Sequence, residues 1–152
     1  MNIISKNKRA YFDYEITDTR EAGIVLKWHE VKAIRGKLIN LTDAVAVTQD
    51  RELRLRDMEI RQYPMANPNQ LLWRAPRRPR KLLMTKREIW KMTERTNKTG
   101  QIILVLSIYI NKRQLIKVQL WLGKKKKNIE KRSSIKTRDI GREMDREMKR
   151  FR

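Results

Sequence analysis

Thirteen basic and five acidic side chains share residues 123–152, at a spacing regular enough to say what they can touch. Arg138, Arg142, Arg146 and Arg150 form one line, Asp139, Glu143 and Glu147 a second, and Ile140, Met144 and Met148, extended by Phe151, a third. A step of four keeps residues on one helical face, so the pattern predicts a helix with a cationic side and a narrow apolar side. The opposite-charge pairs at i,i+3 add only about 1 kcal/mol together, too little to hold such a helix in isolation. The tail is therefore expected to be disordered when free and helical once something anionic and concave receives it. Two further basic clusters lie upstream, at Lys6, Lys8 and Arg9 and across residues 74–81, which carry no acid. Ammonium and guanidinium groups in such numbers do one kind of chemistry well, which is to neutralise phosphate.

The whole chain agrees. Its 152 residues carry 38 Lys+Arg against 17 Asp+Glu, a net charge of +21, and a pI of about 10.8. That points to a polyanionic partner, with cytoplasmic nucleic acid the default. Other chemistry finds no footing. The single histidine, His29, and the absence of cysteine leave no familiar zinc site. Residues 123–127, Gly-Lys-Lys-Lys-Lys, lack the upstream glycine and following Ser/Thr of a phosphate loop. No nucleophile or orienting group marks His29 as a general base, so neither an enzyme nor a cofactor is expected. No apolar run reaches membrane-span length, and the start does not read as a signal peptide.

The elements that must hold these cations can be placed in outline. Residues 21–26 read as a strand, residues 28–36 as a short amphipathic helix, and residues 41–47 and 53–60 as strands joined by a polar turn at 49–51. All four prolines fall within residues 64–79, so residues 63–80 read as an exposed Pro/Arg-rich loop. Residues 82–97 follow a helical period that Gly100 stops, and residues 102–110 and 115–122 read as a hairpin turning at 111–114. Short antiparallel strands around a small core predict a mainly β protein with some α. The architecture expected is a small oligonucleotide-binding-like antiparallel barrel with short flanking helices. The body is drawn at residues 1–122 and the basic tail at 123–152.

Several segments, in order, resemble one family. Asn7-Lys8-Arg9-Ala10 and Asp13-Tyr14-Glu15 are similar to the opening signature of the SsrA-binding proteins, also called small protein B. Glu21-Ala22-Gly23-Ile24-Val25-Leu26, Glu30-Val31-Lys32, Arg35, Asn40-Leu41 and Asp43 resemble their longest motif. Arg80-Lys81-Leu82-Leu83 with Lys86-Arg87-Glu88-Ile89 resembles the start of a helix, and Lys117-Val118, Leu120, Gly123-Lys124, Lys131-Arg132, Ile135-Lys136 and Arg138-Asp139 resemble the last strand and tail. The chain departs from the family pattern at Trp28, Lys37, Lys125 and Ile129.

The resemblance implies a non-enzymatic adaptor that binds the tRNA-like end of transfer-messenger RNA and brings it to stalled ribosomes. On that implication the barrel props the RNA elbow, and the tail becomes helical in the empty messenger channel beside small-subunit RNA. The RNA contacts implied are Asn7, Lys8, Arg9, Glu30, Lys32, Arg35, Asn40, Lys81, Lys124 and Lys126. Those implied for the ribosome-binding tail are Lys131, Arg132, Lys136, Arg138, Arg142 and Arg146. Plainer roles stand beside these. Asn7 and Asn40 suit turn caps, Glu30 suits an exposed acid, and Trp73 and Trp121 suit base stacking or packing. The expected state is a cytoplasmic monomer without membrane contact. The alternatives are a ribosomal or assembly protein, which shares the basic charge and tail, and a basic membrane-surface protein.

Overall fold

The computed structural model describes residues 2–63 and 75–127, with Ile135 and Arg142 beyond them. The elements in chain order are β1 (Asn2–Lys6), α1 (Lys8–Asp13), β2 (Tyr14–Ile24), α2 (Trp28–Arg35), β3 (Ile39–Asn40), β4 (Val45–Gln49), β5 (Glu52–Arg56), β6 (Glu59–Ile60), β7 (Arg80–Leu83), α3 (Lys86–Thr99), β8 (Ile102–Ile110) and β9 (Ile116–Lys125).

Six antiparallel strands close on themselves in the order β8-β4-β5-β7-β2-β9, with β9 returning to β8. The fold is thus mainly β, an oligonucleotide-binding-like barrel with short helices. One edge of β8 is shared: Ile103 and Leu104 face β4, while residues 107–110 face β1. The interior is filled by Leu53, Leu55, Leu82, Val105, Ile108, Val118 and Leu120, all essentially without exposure. A smaller core lies on the other face of β8 and β9, where Ala10 of α1 covers Leu104, Leu106 and Trp121. Burial on both faces explains why residues 102–110 read as a continuous apolar run rather than an alternation.

Tertiary pairing moves several boundaries. Residues 82 and 83 carry a helical period, yet Leu82 pairs with Leu53 of β5 and Ile24 of β2, so they form β7. The helix starts only after Thr85, whose hydroxyl accepts from Glu88 N while the Glu88 carboxylate accepts from Thr85 N. It ends at Gly100, whose φ of 62° is the left-handed conformation that a side chain disfavours. The turn between β4 and β5 holds Asp50 and Arg51 at φ of 52° and 59°, the twist a two-residue hairpin requires. At the β8–β9 turn, with no glycine available, Gln114 takes the left-handed position at φ 60° and Asn111 Oδ1 accepts from Arg113 N and Leu115 N.

Two domain boundaries also differ from expectation. The stretch 63–80 is not a loop to its end: Arg78 is half-buried and Arg80 opens β7 from inside the protein. The body does not stop at residue 122, because β9 runs to Lys125 and Lys126 N donates to Asp13 O at 2.9 Å. Within it Gly123 passes so close to β2 that a Cβ would sit 3.1 Å from Glu15 O.

Candidate nucleic-acid interface

Asn7 organises the first cationic cluster from below. Its Oδ1 accepts from Ala10 N at 3.0 Å and caps α1, its Nδ2 donates to Leu41 O at 2.7 Å, and it is only 3% exposed. It is therefore a clasp between α1 and the 41–44 turn, in keeping with the cap reading offered for it. Seated on that clasp, Lys8 and Arg9 stand exposed. Arg9 is held loosely, 3.3 Å from Asp13 and 3.5 Å from Asp43. Asn40 serves its own turn, accepting from Thr42 N and Thr42 Oγ1 through Oδ1.

The end of β9 arrives at the same place. Tyr14 pairs with Lys125 and Glu15 with Lys124, and Lys126 reaches Tyr11 O at 3.5 Å. Arg9, Asp13, Tyr14, Thr42, Asp43 and Lys125 line the resulting cleft of about 300 Å³. The fold thus gathers Arg9 and Lys125, distant in sequence, around one opening, with Lys8 and Lys126 on the segments beside it. Lys125 lines it although it was not among the expected contacts. Strand alternation is the signal that could have found it, since Lys125 lies on the Trp121 side of β9, toward α1.

The second cluster is built around Glu30. Its carboxylate closes the start of α2 by accepting from Lys27 N at 2.9 Å. It also accepts from Arg78 Nε at 2.9 Å and Nη2, and from Arg80 Nε at 3.0 Å. Arg80, 1% exposed, spends its other donors on the carbonyls of Met58, Arg78 and Pro76. Burial pushes the Glu30 carboxyl up, but the Arg78 hydrogen bonds, the Lys27 amide and the Arg80 guanidinium outweigh it and hold it below the ordinary carboxylate range. Glu30 is 3% exposed, which corrects the reading of it as an exposed acid. The same ion-pair web makes the Arg78–Arg80 stretch a fixed wall rather than a flexible basic loop.

What this wall presents is cationic. Lys32 and Arg35 are exposed on α2, with Lys32 Nζ 4.8 Å from the centroid of the exposed Trp28 ring. Lys81 is exposed on β7, joined to Glu52. His29 is buried, and burial lowers its pKa against the opposing pull of Glu30, so it is neutral and inward at neutral pH. Among the described residues no group of three or more His, Cys, Asp or Glu is placed to hold a metal. No helix among them is long and apolar enough to cross a membrane. Trp121 is buried against Tyr11, 5.2 Å between ring centroids, so it packs and does not meet bases. In the tail Ile135 and Arg142 are helical and exposed. Lys131, Arg132, Lys136, Arg138 and Arg146, like Trp73 and Ile129, lie outside the described residues.

Comparison with known proteins places this geometry. The family model described as SmpB protein matches residues 4–150. This chain belongs to the SmpB family. The SsrA-binding protein of Thermosipho africanus is 40% identical over 152 residues, covering 100% of both chains. That of Parabacteroides distasonis is 42% identical over 149 residues, 98% of this chain and 95% of the relative. A chain in a solved structure described as "tmRNA-SmpB: a journey to the center of the bacterial ribosome" superposes with a TM-score of 0.67 at 38% identity, covering 82% of this chain and 85% of that one. The SmpB match runs through the α1 cleft, the Glu30 web and the tail.

Proposed function

We propose that this SmpB-family chain is an RNA-binding adaptor of ribosome rescue by trans-translation. It binds the tRNA-like domain of transfer-messenger RNA through the barrel and carries it to stalled ribosomes. The observation that carries this reading is the full-length match to SsrA-binding proteins, laid over a barrel whose exposed cations sit on buried polar clasps. Lys8, Arg9, Lys32, Arg35, Lys81, Lys124 and Lys126 supply the phosphate contacts, and Asn7, Glu30 and Asn40 hold the surfaces that display them. Lys131, Arg132, Lys136, Arg138, Arg142 and Arg146 belong to a tail that becomes helical in the vacant messenger channel, against small-subunit RNA near the decoding centre. The protein works in the cytoplasm, as a monomer, and does no covalent chemistry.

Removal of residues 133–152 tests the division of labour. The truncated protein should bind the tRNA-like RNA with affinity close to that of the full chain and fail to support peptide tagging. Loss of RNA binding on truncation would contradict separate partners for body and tail. Sequencing of RNA cross-linked to the full chain should recover one long RNA with a tRNA-like end, together with small-subunit RNA from the messenger path. Recovery of ribosomal RNA alone would instead identify a structural or assembly protein.

A further inference from the structure

The solvent face of α3 carries a third basic surface that shares no residue with the α1 cleft or the Glu30 web. Trp90 stands at its centre, 63% exposed, the most open of the large apolar side chains among the described residues. Its neighbours at helical spacing on the N-terminal side are Lys86 and Arg87, both exposed and neither in an ion pair among the described residues. Farther along the helix Arg95 is spent on Asp18 at 2.8 Å and Lys98 on Glu94. Beside Trp90 a groove of about 560 Å³ opens between α3 and the β4–β5 turn, with Ile89, Thr48 and Thr93 along it and Arg51 and Asp50 opposite. Glu52, also on the groove, is neutralised by Lys81 and Arg54.

Two features make this face a platform. Buried Ile89 and Met92 fix the helix on the barrel, and a Thr48–Thr93 hydroxyl hydrogen bond of 2.8 Å pins it to β4. The indole therefore projects from a rigid support, and little freedom is lost when something stacks on it. An indole beside a groove with room for a base, flanked by unneutralised cations, has the chemistry that holds an unpaired nucleotide, with the base on the ring and the phosphates on the cations.

We propose that Trp90, with Lys86 and Arg87, forms an additional RNA contact that takes an unpaired nucleotide by stacking. The contact rests on the adaptor reading above and adds to it a surface that distinguishes single-stranded from duplex RNA.

The test is titration of the full-length protein with a twelve-residue oligouridine and with a blunt RNA duplex of equal phosphate number. Trp90→Ala should weaken oligouridine binding roughly 5- to 150-fold, Trp90→Phe should keep most of it, and duplex binding should not change. Lys86→Gln with Arg87→Gln should lower the salt slope for oligouridine by about 1.4, which checks the surface without touching the indole. Unchanged oligouridine binding by Trp90→Ala, or an equal loss for duplex, would overturn the proposal. Competition of polyglutamate with oligouridine on the wild type but not on Trp90→Ala would overturn it in favour of an acidic protein partner. A parallel titration with the tRNA-like RNA keeps the two readings apart. Wild-type failure there counts against the adaptor function, whereas failure of the oligouridine series alone counts only against this surface.

Discussion

Asn7 uses both side-chain polar atoms within the fold, so its substitution should be felt in stability before binding. Asn7→Ala removes a helix cap and leaves Leu41 O without its buried donor, and we expect a loss of about 1–3 kcal/mol in urea unfolding measured without RNA. Asn7→Asp keeps the cap acceptor but turns a carboxylate toward Leu41 O, and should not rescue. An asparagine that only met RNA would leave unfolding unchanged. Glu30 follows the same logic with larger stakes, because Glu30→Ala strands the buried Arg80 guanidinium. The expected cost is about 3–5 kcal/mol, again read without RNA, with a secondary loss of RNA affinity as Arg78 is released. The sequence singled out both residues and allowed Asn7 a capping role, but their distant partners lie beyond any local pattern. Asn7 meets its partner 34 positions away, and Glu30 meets its two arginines 48 and 50 positions away. No local pattern encodes whether a polar side chain faces water or a partner that distant.

The first turn of α2 should make the protein acid-sensitive in two steps. His29 and Glu30 both have folded pKa values below their unfolded ones, so the unfolded chain takes up protons more readily as pH falls. Both contributions are fully present above the unfolded values. His29's drains away first, below its ordinary 6.5, and Glu30's as pH drops through the carboxylate range toward its lower folded value. Urea midpoints between pH 7 and 5 should therefore decline in the wild type, and His29→Gln should flatten that decline. Elements of this kind, short and closed by local signals, were the most legible in the sequence. α2 and the β8–β9 hairpin lie close to their predicted positions. The predicted start of α3 was too early because the leucines of residues 82–83 suit either period, and only their pairing with β5 and β2 decides. The Thr85–Glu88 capping box was the readable clue to the true start. β9 hides its second face in the same way, since the neighbour on which Trp121 packs is α1, far away in sequence.

For the molecule as a whole, charge sets affinity. About six to ten phosphate contacts should cost roughly 10³–10⁵ in RNA affinity between 50 and 200 mM salt, and a flat salt dependence in filter binding would contradict an electrostatic interface. The body also fixes where the tail begins. Lys126 N is hydrogen-bonded to Asp13 O, at the end of α1, so the 26 residues that follow are measured from a rigid origin beside the α1 cleft. As a helix that length covers about 39 Å; fully extended it covers about 86 Å. In the proposed helical form the tail is a ruler with a phase as well as a length, since each added residue advances it about 1.5 Å and turns it about 100°. One alanine inserted after Lys127 should swing the arginine line off its ribosomal face and suppress tagging. Seven inserted residues, close to two full turns, should restore the phase and fail only if the channel also reads distance.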